Sequence, residues 1–451
     1  MPRVARWKLN RLNPAQIVLI GFFLLIMTGT GLLMLPISSR SGVVTPFADA
    51  LFTATSATCV TGLIVFDTYT YWTFFGQLVI LIMIQIGGLG VVTMAVAGAA
   101  IAGKKIDLKQ RVVMQESISA PQMGGIVRLT NFIIRATAFL EGAGACILAI
   151  RFIPMYGVAR GIWFSVFHSI SAFCNAGFDL MGEDAPMSSL TSFSDDALVI
   201  VPIMLLITIG GLGFFTWHDI LENKWRVHHY RLQTKLVLLT SALLIVIPSL
   251  YFFFYEFAQP QWSYMTFSER VLSSLFTVVT PRTAGFNSVD FTMLHSSGAL
   301  LITCLMIIGG SPGSTAGGVK TTSLAVVLLS ARATLQRRDS LHAFGRRIPP
   351  EILHSAVTLF TLYGSLLLTG TMLISCIDGV SAGAVVFECA SAIGTVGLTL
   401  NLTPTLSTAS HIILTLLMYF GRMGGLTVLY AATSGRYRSM AQLPQEKITV
   451  G

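Results

Sequence analysis

Charge is what this sequence has least of: 11% of its 451 residues are Asp, Glu, Lys or Arg, against roughly 25% in typical soluble chains. That deficit excludes a cytosolic dehydrogenase and a disordered regulator, and no polar stretch is long enough to form a separate soluble enzyme domain. Cysteine is scarce as well. The six, Cys59, Cys146, Cys174, Cys304, Cys376 and Cys389, show no paired spacing, which excludes a disulfide framework and predicts buried free thiols. The eight histidines are scattered. His218, His228 and His229 share one loop, but no second ligand cluster joins them and no metal site is expected. What the chain has in abundance is apolar surface, with 53% hydrophobic residues and a mean hydropathy of +0.74. An integral, all-α membrane protein follows.

About eight apolar spans approach the ~20 residues that a helix needs to cross the hydrocarbon of a bilayer: 16–35, 72–101, 131–153, 197–217, 236–255, 298–330, 352–376 and 410–432. With connections on alternate sides, one side collects the basic segments 3–11, 104–111, 224–235, 332–347 and 436–447, while the other has only Arg40, Arg160 and Arg270. The formal charge of +9 is therefore a topology signal and not a nucleic-acid-binding one. By the positive-inside rule both termini are cytoplasmic, as expected of a cell-membrane protein. The first span lacks a small-residue cleavage site and reads as a retained helix. The inner basic loops suit anionic membrane lipids or an acidic partner surface. Outside, Asp67, Asp179, Glu183, Asp184, Asp195, Asp196 and Asp290 suggest a negative vestibule that concentrates cations.

Internal repetition carries more information than any single motif. Four segments read FTATSATCVTGL from Phe52, FHSISAFCNAGF from Phe167, FTVVTPRTAGF from Phe276 and FECASAIGTVGL from Phe387. Their glycines, Gly62, Gly177, Gly285 and Gly397, are 115, 108 and 112 residues apart. Each segment lies between two spans and is too short and too rich in Ser, Thr and Gly to cross a bilayer, so it must enter and return. Non-helical backbone survives at membrane depth only inside protein or beside water. A short helix followed by an extended stretch ending in glycine predicts a pore loop, and four around one axis predict rings of carbonyl oxygens that replace a cation's hydration shell. The expected filter segments are Cys59-Val60-Thr61-Gly62, Cys174-Asn175-Ala176-Gly177, Arg282-Thr283-Ala284-Gly285 and Gly394-Thr395-Val396-Gly397. The last contains the Thr-Val-Gly of the potassium-channel filter. The side chains of Arg282 and Asn175 are expected to brace the loops from behind, because a guanidinium on the axis would oppose conduction.

A second repeat follows the first. Each pore loop precedes a span with a glycine cluster, at Gly87-Gly88-Leu89-Gly90, Gly210-Gly211-Leu212-Gly213, Gly309-Gly310-Ser311-Pro312-Gly313 and Gly421-Arg422-Met423-Gly424-Gly425. The unit is helix, pore loop, helix with a glycine break, and it divides the chain into repeats at 1–110, 111–225, 226–335 and 336–433 with a tail at 434–451.

At these motifs, together with GGSPGSTAGGVKTT and GRMGGLT, the chain resembles the Trk/Ktr/HKT superfamily of potassium-translocating proteins over nearly its whole length, most closely the membrane subunit of the bacterial Ktr system. The resemblance implies four helix–pore loop–helix repeats in pseudo-fourfold arrangement around one pore and a homodimer of such pores. It also implies a cytoplasmic ring of separate nucleotide-binding regulatory subunits. It places no cofactor on this chain, potassium being the cargo. Serine at the first filter glycine is associated with sodium selectivity in plant relatives; Gly62 stands there in this sequence, which favours potassium. Sodium dependence stays open.

The sixth span contains Gly309, Gly310, Ser311, Pro312, Gly313, Ser314, Thr315, Ala316, Gly317 and Gly318, a run too poor in helix formers to stay helical. An unwound segment beneath the filter is expected, and the resemblance assigns it a gating role. Arg422, a permanent cation flanked by apolar residues, is expected to bond loop carbonyls around Gly310 to Gly318 and to raise a positive barrier. Lys320 reads as an anchor or a second gate contact. Two rivals stand beside this reading. Glycine-interrupted helices also mark midplane sites of alternating-access symporters, although transporter repeats come typically in two and not four. Gly309 to Gly313 also matches G-x-S-x-G, but a hydrolase needs a strand-to-helix turn and a histidine, and only His295 and His411 lie near, at outer span ends. The near-match to a phosphate-binding loop at Gly313 to Thr321 is spoiled by Val319 and lacks a preceding strand.

Overall fold

A backbone in lipid must satisfy its own hydrogen bonds, and the long apolar segments here are helices. The computed structural model describes residues 13–91, 93–94, 112–113, 115, 126–183 and 185–425. It opens with α1 (Pro14–Leu33), the half-length α2 (Phe47–Cys59) and α3 (Phe74–Leu89). Next come α4 (Ile126–Tyr156), the short α5 (Val158–Phe173), and α6 (Ala197–Leu212) with α7 (Phe214–Asn223). Then follow α8 (Leu232–Phe254), the short α9 (Phe267–Val279), α10 (Ser296–Ile307) and α11 (Thr321–Leu335). A small antiparallel hairpin of β1 (Leu341–Ala343) and β2 (Arg346–Ile348), with Leu341 opposite Ile348, leads to α12 (Pro350–Asp378), the short α13 (Ala382–Gly394) and α14 (Thr408–Met423).

Local chemistry sets the ends of these helices. Asn13 and Gln16 form a reciprocal capping box on α1, followed by Pro14 at the first helical position. Thr73, Thr266 and Ser407 each accept from an N–H in the first turn of α3, α9 and α14. The long helices α1, α4, α8 and α12 are apolar and long enough to cross a bilayer, and they expose Phe23, Leu24, Phe139, Ile247, Leu368 and Met372, the inverse of a soluble protein's surface. The short helices α2, α5, α9 and α13 are buried, and their hidden faces carry Thr53, Ser56, Thr58, Ser165, Ser169, Ser273, Thr277 and Ser391 as well as apolar groups. Polar residues of this kind are tolerated at membrane depth only when protein surrounds them. The helix after each short helix packs on the next short helix: α3 on α5, α6 on α9, α10 on α13, and α14 back on α2. The circuit is closed.

Several expected spans differ in detail. The one at 72–101 breaks at Gly90 and is helical again at 91 and 93–94, while 92 and 95–101 lie outside the described residues. The one at 197–217 turns through 94° at Gly213, and the one at 298–330 is non-helical from 308 to 320. In each case a glycine or a proline ends a run that hydropathy alone reads as continuous. Of the cysteines, Cys59, Cys174 and Cys389 are buried, but Cys146, Cys304 and Cys376 are exposed on helices, because apolar sequence surroundings in a membrane protein mean lipid as often as core. The basic segments 3–11, 104–111 and 436–447, the tail 434–451, Asp184 and the end of the last span lie outside the described residues.

Candidate functional site

Each short helix ends in the same turn. Two residues before each glycine the chain passes through a left-handed conformation, at Val60 (φ 58°), Asn175 (60°), Thr283 (67°) and Thr395 (52°). β-branched residues there are strained by about 1–3 kcal/mol each. The following amide turns back onto the helix, Thr61 N to Ser56 O, Ala176 N to Ser171 O and Val396 N to Ser391 O at 2.8 Å, and Ala284 N to Thr280 O at 2.9 Å. The glycines then have φ of 95°, 72°, 81° and 93°. They also touch one another. A Cβ on Gly62 would collide with the carbonyl oxygen of Ala176, on Gly177 with that of Ala284, on Gly285 with that of Val396, and on Gly397 with that of Thr61. Segments far apart in sequence therefore meet at one centre where no side chain fits.

The carbonyls at this centre are unusual. Val60, Thr61, Asn175, Ala176, Thr283, Ala284, Thr395 and Val396 are each at most 1% exposed. Among the described residues, none of their carbonyl oxygens accepts a hydrogen bond. Buried backbone acceptors are normally paired. A ring of unpaired ones creates a negative potential suited to a cation stripped of water.

Behind the ring, hydroxyls that the sequence analysis overlooked hold the segments. Gly62 N donates to Ser56 Oγ at 3.1 Å and Gly397 N to Ser391 Oγ at 3.0 Å. Ser171 Oγ and Thr280 Oγ1 donate to Phe178 O and Phe286 O, both at 2.7 Å. The signal was present: a Ser or Thr stands four residues after the leading Phe in all four segments. Glu388 accepts from the Thr399 and Thr403 hydroxyls and from Leu400 N just beyond the fourth glycine, and His168 Nε2 accepts from Leu180 N beyond the second.

The first residues of the expected filter segments stand apart from the ring. Cys59 and Gly394 are the last residues of α2 and α13, and Cys174 caps α5. The Arg282 carbonyl accepts from Asn175 Nδ2 at 3.2 Å, and its guanidinium donates to Ser241 Oγ of α8 at 3.0 Å, away from the centre. The other three residues of each segment form the common turn.

Beneath the ring, the glycine clusters let helices press on the ends of the short ones: Gly87 on Thr58 O, Gly210 on Phe173 O and Gly421 on Ile393 O. The third unit is different. There residues 308–320 form an irregular loop tied by Gly309 N to Val319 O (2.9 Å), Ser311 N to Gly211 O (2.9 Å) and Phe214 N to Gly313 O (2.7 Å). Arg422 donates to Thr315 O in this loop, and also to Gly87 O (2.5 Å) and Gly88 O (3.0 Å) outside it. The loop contact was expected; the two from α3 were not. Lys320 Nζ donates to Ala316 O at 2.8 Å and Gly317 O at 3.3 Å, staying within the loop. Ser311 Oγ pairs with Thr321 Oγ1 at 3.0 Å. His411 bonds Thr403 O and His295 bonds Ser297, so neither activates that serine.

Several of the carboxylates expected on the outer side have structural partners. Asp196 caps α6 and pairs with Arg151 at 2.5 Å, Glu183 pairs with Arg160 at 3.1 Å, and Asp67 accepts from Tyr69 N, Thr70 N and Met187 N. Asp179, in the loop just past Gly177, accepts from Met181 N. Burial, the largest influence, pushes its carboxyl up to about 7, and Asp67 adds to the shift.

The family model described as a cation transport protein, TrkH, matches residues 7–440. The chain is 40% identical to the potassium/sodium uptake protein NtpJ of Enterococcus hirae, over 98% of each protein. It is also 40% identical to the Ktr system potassium uptake protein B of Bacillus subtilis, over 95% of this chain and 94% of the other. The fold resembles the crystal structure of the potassium transporter TrkH from Vibrio parahaemolyticus with a TM-score of 0.73 at 18% identity, covering 93% of this chain and 84% of that one.

Proposed function

Since this chain belongs to the TrkH family of cation transport proteins, multi-pass membrane transporters and not enzymes, we propose that it carries potassium into the cell through a selectivity filter of backbone carbonyls. The observation that carries this reading is the set of eight buried carbonyls, unpaired among the described residues, around four mutually touching glycines. The four helix–loop–helix units surround one pseudo-fourfold pore, and the closed packing circuit from α14 back to α2 supports that. An ion leaving bulk water finds oxygens already fixed by the turns behind them, so little reorganisation opposes its dehydration. Side chains contribute indirectly, through Ser56, Ser171, Thr280 and Ser391, which hold the strained turns.

The gate is the loop 309–318 with Arg422. The guanidinium bridges the loop to α3 from inside the ring of helices, where it is an electrostatic barrier as well as a fastening. Lys320 stiffens the loop from within. Likeness to a Ktr system potassium uptake protein supports a Ktr-type partner; the family resemblance extends this to a homodimer above a ring of cytoplasmic nucleotide-binding subunits that moves the gate, and the placement of the basic loops favours both termini in the cytoplasm. Labelled rubidium flux into proteoliposomes, with and without a sodium gradient, tests the reading. Passive, potassium-selective flux supports a pore; uptake that strictly requires the sodium gradient supports an alternating-access symporter.

A further inference from the structure

Thr315 is where the gating loop, Arg422 and the glycine ring meet. Its carbonyl accepts from Arg422 Nη1, and its N–H donates to Gly210 O at 3.4 Å. Its hydroxyl lies 3.1 Å from Phe173 O and 2.9 Å from Asn175 Oδ1. Phe173 is the last residue of α5 and Asn175 lies in the turn that follows it, so whichever takes the hydrogen, the loop is fastened at the second filter segment. Neither Thr315 nor Asn175 is open to solvent.

Asn175 is one of the four left-handed residues that precede the glycines, and it is the one whose side chain reaches a neighbouring segment. Its Nδ2 donates to Arg282 O at 3.2 Å, at the start of the third segment, and to Ile207 O at 3.4 Å. The corresponding positions have no such bridge: Val60 is apolar, and the hydroxyls of Thr283 and Thr395 have no partner among the described residues. The Asn175 amide is planar, so its two ends are not independent. A hydroxyl fixed on Oδ1 decides where Nδ2 points. When the loop leaves its seat, Oδ1 becomes an unmatched buried acceptor, and the amide gains a reason to turn and release Arg282 O.

Building on the pore reading above, we propose that Thr315 and Asn175 are positioning residues through which the gating loop sets ion discrimination. With the loop seated, the Thr315 hydroxyl holds the Asn175 amide across the second and third filter segments. With the loop displaced, that junction relaxes and sodium is rejected less well. Gate position and selectivity are then linked, and the linkage is reciprocal: an ion that fits the ring also favours the seated loop.

The test uses the full-length chain in proteoliposomes and measures two quantities together, basal rubidium flux and the rubidium-to-sodium uptake ratio. Thr315→Val keeps the shape and removes the hydroxyl; flux is expected to rise and the ratio to fall, each by about fivefold, the effect of one buried hydrogen bond. Thr315→Ser, which keeps the hydroxyl, should bring both within about twofold of the unmodified chain. Asn175→Ala should lower the ratio, and adding Thr315→Val to it should lower it no further, because the two residues act through one contact. Higher flux with an unchanged ratio makes Thr315 a gate contact only and overturns the proposal, as does a lower ratio at unchanged flux or no change in either. An unmodified chain that does not prefer rubidium to sodium contradicts the pore reading itself.

Discussion

At the level of the glycine ring the four units are near copies; beneath it they are not. Above, each unit has the same backbone turn, the same left-handed residue and a hydroxyl behind it. Below, three units set a helix glycine against the end of a short helix, while the third opens into the loop 308–320 and only the fourth contributes an arginine. On the function proposed above, the difference is a division of labour. A spherical ion is best held by a symmetric cage of main-chain oxygens, so side-chain identity in the ring can drift while the backbone is kept. A gate has to move, and one movable element fastened by a few hydrogen bonds moves more readily than four coupled ones.

That contrast can be broken in stages. The largest effect is expected in the ring. Gly285→Ala puts a methyl group against Val396 O, in a conformation that disfavours side chains. Selective rubidium uptake should drop by more than about 30-fold while the protein still inserts. Next comes the asymmetric level. Arg422→Ala removes three charge-assisted bonds and a barrier charge, so basal flux should rise by about tenfold, with unchanged flux speaking against the gate assignment. Arg422→Lys should reverse only part of this, because a single ammonium does not serve Thr315 and the α3 carbonyls together.

A smaller effect is expected behind the ring. Ser391→Ala leaves the Gly397 N–H without its acceptor, a change of about 1 kcal/mol that should weaken apparent potassium affinity roughly fivefold. The smallest is a pH effect in the loop just past Gly177. The Asp179 carboxyl is raised from 3.8 to about 7, so the folded state favours its protonated form. That stabilisation is complete below the ordinary carboxylate range and is lost as pH rises through about 7. The melting temperature in detergent should therefore decline by about 2 °C between pH 6 and pH 8, and Asp179→Asn should flatten that decline.

Much of the ring was legible in the sequence because repetition multiplies a weak signal: a Phe, a Ser or Thr, and a glycine recur four times at nearly constant spacing. The unwound loop was legible from Gly309, Pro312 and Gly313, whose backbone chemistry opposes a helix. Other features depend on which surfaces meet. Asn175 and Thr315 are 140 residues apart, and nothing local in either stretch indicates the partner. Arg422 was readable as a cation seeking carbonyls, but not as one that seeks them on α3. The outer acids illustrate the opposite error. Asp196 and Glu183 read as free negative charge from composition, whereas Arg151 and Arg160 compensate them in space.

The most direct measurement is an experimental map of the full-length protein prepared in rubidium, with anomalous or difference density sought where the four glycines touch. The account predicts a strong peak on that axis, within coordination distance of the carbonyl oxygens of Thr61, Ala176, Ala284 and Val396. A map with clear density for those segments, no peak between them and rubidium bound at side-chain oxygens elsewhere would contradict it.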